Sequence, residues 1–248
     1  MPKYDLSFHP PIMNAAGTLG FAPDPRGPFD LTSLGAFITD PISANPRAPA
    51  QTRRFLAYPG GFLLHSGYPN PGLSAAIRRY GARWARSPLP VIVHLLAESR
   101  ADLAGMVARL ETIEGVMGIE LGIPPDCKTA AARDLVHAAS GELPIIVRLP
   151  LERADELSEG LVSLGIGGVS LGPPRGAIPD GQGRTVRGRL YGPSLYPLAL
   201  DAVCRLVRLG LPVLGAGGVY SSEQADIMLA CGAIGVQLDA VIWRLGWD

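Results

Sequence analysis

The chain has 248 residues, 47 % of them hydrophobic and 18 % charged, with 22 basic side chains balanced by 22 acidic ones. That length suits one large core, and the balance gives no electrostatic footprint for nucleic acid or an anionic membrane surface. Three widely spaced cysteines and four histidines indicate neither a disulfide framework nor a metal site. Met1 to Asp5 begin no signal-peptide core and no run reaches the ~18 apolar residues of a membrane span, so a cytoplasmic protein acting on a small molecule is expected.

Short apolar or β-branched runs recur along the chain, separated by stretches with helical periodicity. The expected strands are Ile12 to Ala16, Ala36 to Thr39, Val91 to Leu95, Gly118 to Leu121, Ile145 to Leu149, Gly167 to Leu171, Val213 to Ala216 and Gly235 to Leu238. The expected helices are Leu73 to Arg86, Arg100 to Glu114, Thr129 to Ser140, Ala154 to Leu164, Leu195 to Leu209 and Ser221 to Cys231, with a weaker one near Asp30 to Leu34. Strand and helix alternating eight times in this length favour a single α/β domain over residues 1–248, a (β/α)8 TIM barrel, over an open doubly wound sheet. Prolines and glycines fall between the apolar runs and read as turn punctuation. Two connections, 43–71 and 172–192, are longer than a barrel needs; following strands, they belong at the C-terminal face, where lid and substrate elements sit.

The last βαβ unit carries the clearest chemical signal. Leu214-Gly215-Ala216-Gly217-Gly218-Val219 and Gly235-Val236-Gln237-Leu238-Asp239 flank a helix, the arrangement that grips phosphate at the end of a barrel. Asp239 opposes this, because its carboxylate stands where a phosphate needs backbone N–H groups.

The chain resembles the class 1 dihydroorotate dehydrogenases, which are FMN-dependent barrels. The resemblance rests on Met13-Asn14-Ala15-Ala16-Gly17-Thr18-Leu19-Gly20, Leu34-Gly35-Ala36-Phe37-Ile38-Thr39, Gly67-Tyr68-Pro69-Asn70-Pro71-Gly72, Ile119-Glu120-Leu121, Leu190-Tyr191-Gly192-Pro193, the glycine turn at 214–219 and Cys231-Gly232-Ala233-Ile234-Gly235-Val236-Gln237. It implies FMN held by Ala15, Ala16, Gly17, Gly192, Gly215, Gly217 and Gly218, with Arg148 in place of the lysine beside the flavin. It also implies a small-molecule substrate at Asp40, His65 and Asn70, and a homodimer. Arg148 has a structural alternative, an ion pair with Glu120 or Asp40.

Several family positions are replaced. Asp239-Ala240 stands for the Gly-Thr pair that completes the phosphate site, so Asp239 turns away, pairs with a base such as Arg244, or excludes the phosphate. Asp40 replaces a lysine that touches flavin and substrate. Leu64, with His65 beside it, His94 and Gly122 replace three asparagines, and Pro125 occupies the position of the cysteine base. The candidates left for proton transfer are Cys127, whose thiol a helix beginning at Lys128 or Thr129 would acidify, and His94, at the end of a barrel strand. Two alternatives to an FMN-dependent oxidoreductase stay open: a catalytically degenerate barrel serving as a binding or partner subunit, and a flavin-free phosphosugar-type enzyme using Asp40, Glu120 or Asp239.

Overall fold

A computed structural model describes residues 6–51, 54–97 and 99–244; Met1 to Asp5, two residues of the first long connection, Glu98 and the last four residues lie outside them. In chain order the strands are β1 Ile12–Asn14, β2 Phe37–Ile38, β3 Arg54–Tyr58, β4 Gly61–His65, β5 Val91–Leu96, β6 Val116–Gly122, β7 Ile145–Pro150, β8 Gly168–Gly172, β9 Arg175–Pro179, β10 Thr185–Tyr191, β11 Val213–Ala216 and β12 Gly235–Leu238. The helices are α1 Leu73–Ala85, α2 Arg100–Leu110, α3 Thr129–Ala139, α4 Ala154–Ser158, α5 Tyr196–Arg208 and α6 Ser222–Ala230.

Eight strands pair in the order β1, β12, β11, β8, β7, β6, β5, β2, with parallel neighbours throughout. A parallel bridge between Met13 and Ala36 closes the ring from β1 to β2, so the sheet is a (β/α)8 barrel. Helices α1 to α6 follow the second to seventh barrel strands. After the first and the eighth the chain makes 3-10 turns instead, Leu31–Ser33 and Ala240–Trp243. Helix α4 is also shorter than its periodicity suggests. Ser158 Oγ donates to the Asp155 carbonyl at 2.8 Å, and Gly160, a poor helix former, follows, so the chain continues as turns.

Side chains alternate between the two faces of each strand, and the inward face has two distinct layers. Low in the barrel, Met13, Ile38, Ile92, Ile146 and Leu214 form an apolar plug with Phe8. Two residues further along their strands, Ile92 and Ile146 give way to His94 and Arg148, while Gly118, Gly168 and Gly235 give way to Glu120, Ser170 and Gln237. All five of these polar residues are buried. The upper layer is therefore polar, and it floors the C-terminal mouth.

The two long connections contain strands of their own. From 43–71 come β3 and β4, from 172–192 come β9 and β10, and β10 pairs with β4 to unite them in an antiparallel sheet of order β3, β4, β10, β9. Phe62 and Tyr191 stack with ring centroids 5.3 Å apart, and Trp243 packs 6.2 Å from Tyr191. The cysteine count gave no reason to expect a crosslink, yet α5 and α6 pack together and join Cys204 to Cys231 in a disulfide with Cα atoms 5.6 Å apart. Spacing along the chain hides a pairing that depends on which helices become neighbours.

Candidate active site

Glu120 is the hub of the polar layer. One oxygen, Oε2, accepts from His94 Nδ1 at 2.6 Å and lies 3.4 Å from Arg148 Nη1; the other, Oε1, accepts from Ser170 Oγ at 2.7 Å and Gln237 Nε2 at 2.6 Å. Burial alone would raise the Glu120 pKa, but the Arg148 charge and the bonds from His94 and Gln237 outweigh it and bring it to about 2. Glu120 is thus an anion, and Nδ1 of His94 must carry the proton that it shares with that anion. Burial pushes the His94 pKa down, more than the Glu120 contact restores, so the imidazole is neutral near pH 7. Its Nε2 has no hydrogen-bond partner among the described residues.

That nitrogen faces Gly122. A Cβ there would stand 2.8 Å from His94 Nε2, so the glycine supplies the room that the histidine ring uses. Both residues line a pocket of about 220 Å³ at the barrel mouth, shared with Tyr68, Pro125, Arg148 and Arg189. Arg47 and Arg175 stand on its rim, as does Glu152, the one carboxylate of the lining among the described residues. The pocket is smaller than the roughly 300–1,000 Å³ that drug-sized ligands occupy, and suits a single ring. Arg189 lies over the Tyr68 ring with its guanidinium carbon 3.5 Å from the centroid, and one of its terminal nitrogens donates to Ser66 Oγ at 3.2 Å. Its Nε is buried with no partner, an orphan donor at a cationic pocket.

Of the residues singled out in the sequence, His94 and Arg148 meet here, and Glu120 is the partner of Arg148. Cys127 does not line the pocket. It precedes the N-cap of α3, its Sγ donates to the Lys128 carbonyl at 3.5 Å, and burial pushes its thiol pKa up, opposite to the shift that a helix start would give. Asp40 accepts from Gly20 N at 3.1 Å and fastens the turn after β1. Asn70 is a buried clamp, accepting from Gly72 N at 2.9 Å and Ser43 N at 3.2 Å while donating to the Tyr68 carbonyl at 3.1 Å. His65, half buried at the end of β4, lies opposite Arg54 in the β3–β4 ladder. Sequence reasoning assigned no site role to Ser170, Gln237, Arg189 or Tyr191; the first two were detectable as inward positions, two residues along their strands from Gly168 and Gly235.

The flavin-side residues divide similarly. Ala15 and Ala16 are buried, with Gly17 at φ +92° turning the chain after β1. Gly215 faces α6, where a Cβ would meet Met228 Sδ at 2.7 Å, and Gly192 packs on Gly60. Gly217 and Gly218 form the glycine turn; Gly218 has φ +68°, and a Cβ there would lie 2.9 Å from the Gly192 carbonyl oxygen. The turn is built as an anion cradle, and the group on it is the carboxyl of Asp239. Its Oδ1 accepts from Ala240 N at 2.5 Å and its Oδ2 from Gly218 N at 3.5 Å. Burial pushes the Asp239 pKa up, while those two N–H groups and the Arg148 charge oppose the rise. Arg244 lies over the Tyr220 ring instead of pairing with Asp239, its guanidinium carbon 5.2 Å from the centroid. The FMN that the resemblance implies does not fit this arrangement, because its phosphate would need donors already turned to a buried carboxylate. Among the described residues no group of three or more His, Cys, Asp or Glu is placed to hold a metal, and no helix is long and apolar enough to cross a membrane.

Comparison with known proteins agrees with the architecture. In its shape the chain is similar to a crystal structure of DHODH from Eimeria tenella in complex with ferulenol, with a TM-score of 0.77 over 99 % of this chain and 81 % of that one, at 15 % identity. In sequence it is 30 % identical to a dihydroorotate dehydrogenase B (NAD(+)) catalytic subunit from Pelobacter propionicus, covering 94 % of this chain and 84 % of the relative. It is 29 % identical to the protein of the same name from Desulforudis audaxviator, covering 92 % and 81 %. The family model described as dihydroorotate dehydrogenase matches residues 3–145, more than half of the chain, and the chain belongs to the dihydroorotate dehydrogenase family.

Proposed function

We propose that this chain is a divergent barrel of the dihydroorotate dehydrogenase type. Its mouth takes a small, single-ring, carboxylate-bearing molecule, and His94 moves a proton on it. The observation that carries the reading is the 2.6 Å contact between His94 Nδ1 and Glu120 Oε2. A carboxylate that fixes one ring nitrogen as a donor leaves the other with its lone pair toward the pocket, and stabilises the imidazolium formed when a proton is taken. Arg148 and Arg189 line the pocket and supply forked donors for the substrate carboxylate. Removal of a proton from C5 of dihydroorotate is a step of this kind, with His94 in the role that a cysteine plays in class 1 enzymes.

The test follows that proton. Dihydroorotate incubated with the protein in heavy water should gain deuterium at C5, read by NMR, and His94→Gln should abolish the gain. Absence of exchange together with absence of dihydroorotate and orotate binding by calorimetry would sink the reading.

A second reading, FMN-dependent oxidation of dihydroorotate, is favoured by the glycine turn at Gly217-Gly218 and by the cation at Arg148. In this reading Gly217 and Gly218 would hold the phosphate and Arg148 the ring, and FMN would supply the acceptor for the substrate's hydride. This reading requires Asp239 to leave the cradle, and bleaching of a flavin spectrum by dihydroorotate without oxygen would establish it.

A further inference from the structure

We infer that Asp239 and Tyr191 close this barrel to FMN by supplying internally the anion and the aromatic ring that the cofactor would bring. The inference goes beyond the proton-transfer reading and does not depend on which substrate the mouth takes.

The phosphate end is explicit. Gly218 keeps the conformation and the lack of a side chain that let a backbone N–H face an anion, since a Cβ would collide with the Gly192 carbonyl. That N–H and the one of Ala240 point to Asp239, which is 5 % exposed. A phosphate dianion would have to displace a buried carboxylate held by its own backbone, or lie beside it with like charges in contact. The ring end is closed in the same way. Tyr191, at the end of β10, is 7 % exposed; it stacks on Phe62 and meets Trp243 at a tilt of 55°. Tyr191 directly precedes Gly192, whose carbonyl lies against the Gly218 turn, and its phenol interacts electrostatically with both Arg148 and Asp239. The pocket beside His94 and Arg148 measures about 220 Å³, whereas FMN carries three rings and a ribityl phosphate.

The experiment compares the wild type with Asp239→Gly/Tyr191→Ser and with Asp239→Asn, which keeps the shape of the side chain and removes its charge. Flavin content of each purified protein is read from its absorption, and FMN and riboflavin are titrated by fluorescence quenching and by thermal melting. The wild type should purify colourless, with a melting temperature that FMN leaves unchanged. The double variant should bind FMN at least about tenfold more tightly than the wild type and prefer it to riboflavin, which lacks the phosphate. Asp239→Asn should gain stabilisation by inorganic phosphate over chloride at equal ionic strength, and this decides the matter if the double variant fails to fold. Wild-type protein that retains FMN overturns the inference. So does Asp239→Asn with no gain from phosphate, or a folded double variant with wild-type affinity.

Discussion

His94 and Glu120 stand directly opposite one another on neighbouring parallel strands, and the 2.6 Å bond between them ties the pocket-facing imidazole to a carboxylate that also gathers Ser170, Gln237 and Arg148. One buried anion therefore organises five of the eight barrel strands. Its removal should be felt well beyond the pocket. Glu120→Ala leaves Arg148 buried without its partner, and losing one member of a buried pair costs about 3–5 kcal/mol. Urea unfolding should show a loss of that size, with a smaller one for Glu120→Gln, which keeps part of the network. A loss within the surface range of about 0.5 kcal/mol would refute the hub.

The same carboxylate sets how stability responds to acid. The Glu120 pKa is lowered in the folded protein to about 2 from 4.5, so its contribution is fully present above pH 4.5 and is lost as pH falls toward 2. His94 acts in the same direction: its pKa is lowered from 6.5, so the unfolded chain takes up a proton first as pH falls through that value. Asp239 and Asp40 are raised from 3.8 and act in the opposite sense, stabilising the fold below that value and losing the effect as pH rises. The urea midpoint should fall from about pH 6 to about pH 3, and the fall should be shallower in Glu120→Gln. An equal slope in the two proteins would remove Glu120 as its source.

Gly122 and His94 form a complementary pair, and each makes sense of the other. A methyl at Gly122 would press on the imidazole at 2.8 Å, tighter than van der Waals contact, so Gly122→Ala must shift the ring or the strand at a cost of about 1–3 kcal/mol. Gly122→Asn, which restores the residue of the resembled family, should do so more severely. The His94 ring resonances in NMR should move in Gly122→Ala and regain their positions in no conservative variant larger than glycine. Unchanged resonances would mean that the pocket has slack.

Much of the barrel was legible in the chain because its signals are local. Each barrel strand is a short apolar run between turn residues, and β11 and β12 match their expected bounds without a shift. The hairpins β3–β4 and β9–β10 were not legible. Arg175-Gly176-Ala177-Ile178-Pro179 has little β-branched character, and the two hairpins become one sheet only through the pairing of β4 with β10, partners far apart in the sequence. His94 and Arg148 were visible as polar residues at strand ends. That one carboxylate joins them, and that Asp239 folds back onto the glycine turn, depends on the closure of the barrel, which no spacing records.

The crosslink between α5 and α6 is a clear case of long-range information. It closes a loop over a sequence separation of 27, for which chain entropy alone gives roughly 2–4 kcal/mol. Mass spectrometry of the protein under non-reducing conditions should show Cys127 alone open to alkylation. Reduction or Cys204→Ser should lower the melting temperature. Alkylation of all three cysteines in the native, unreduced protein would show that the bond does not form.

Arg189 gives the sharpest test of the mouth as an anion site, because its charge and its geometry can be separated. The Tyr68 ring lies 3.5 Å from the guanidinium carbon, and Tyr68 has a backbone φ of +53°, a conformation that non-glycine residues seldom adopt. Ser66 takes one terminal N–H, and Nε is left buried without an acceptor. A lysine would keep the charge but present neither a fork nor a plane for the ring. Arg189→Lys should therefore weaken orotate binding, measured by calorimetry, by about tenfold or more, a charge-assisted hydrogen bond being worth about 1.5–3 kcal/mol. Arg189→Ala should weaken it further, and both variants should keep a urea midpoint close to that of the wild type. If lysine binds orotate as well as arginine does, the site recognises charge alone, and the oriented donor plays no part in choosing a planar carboxylate.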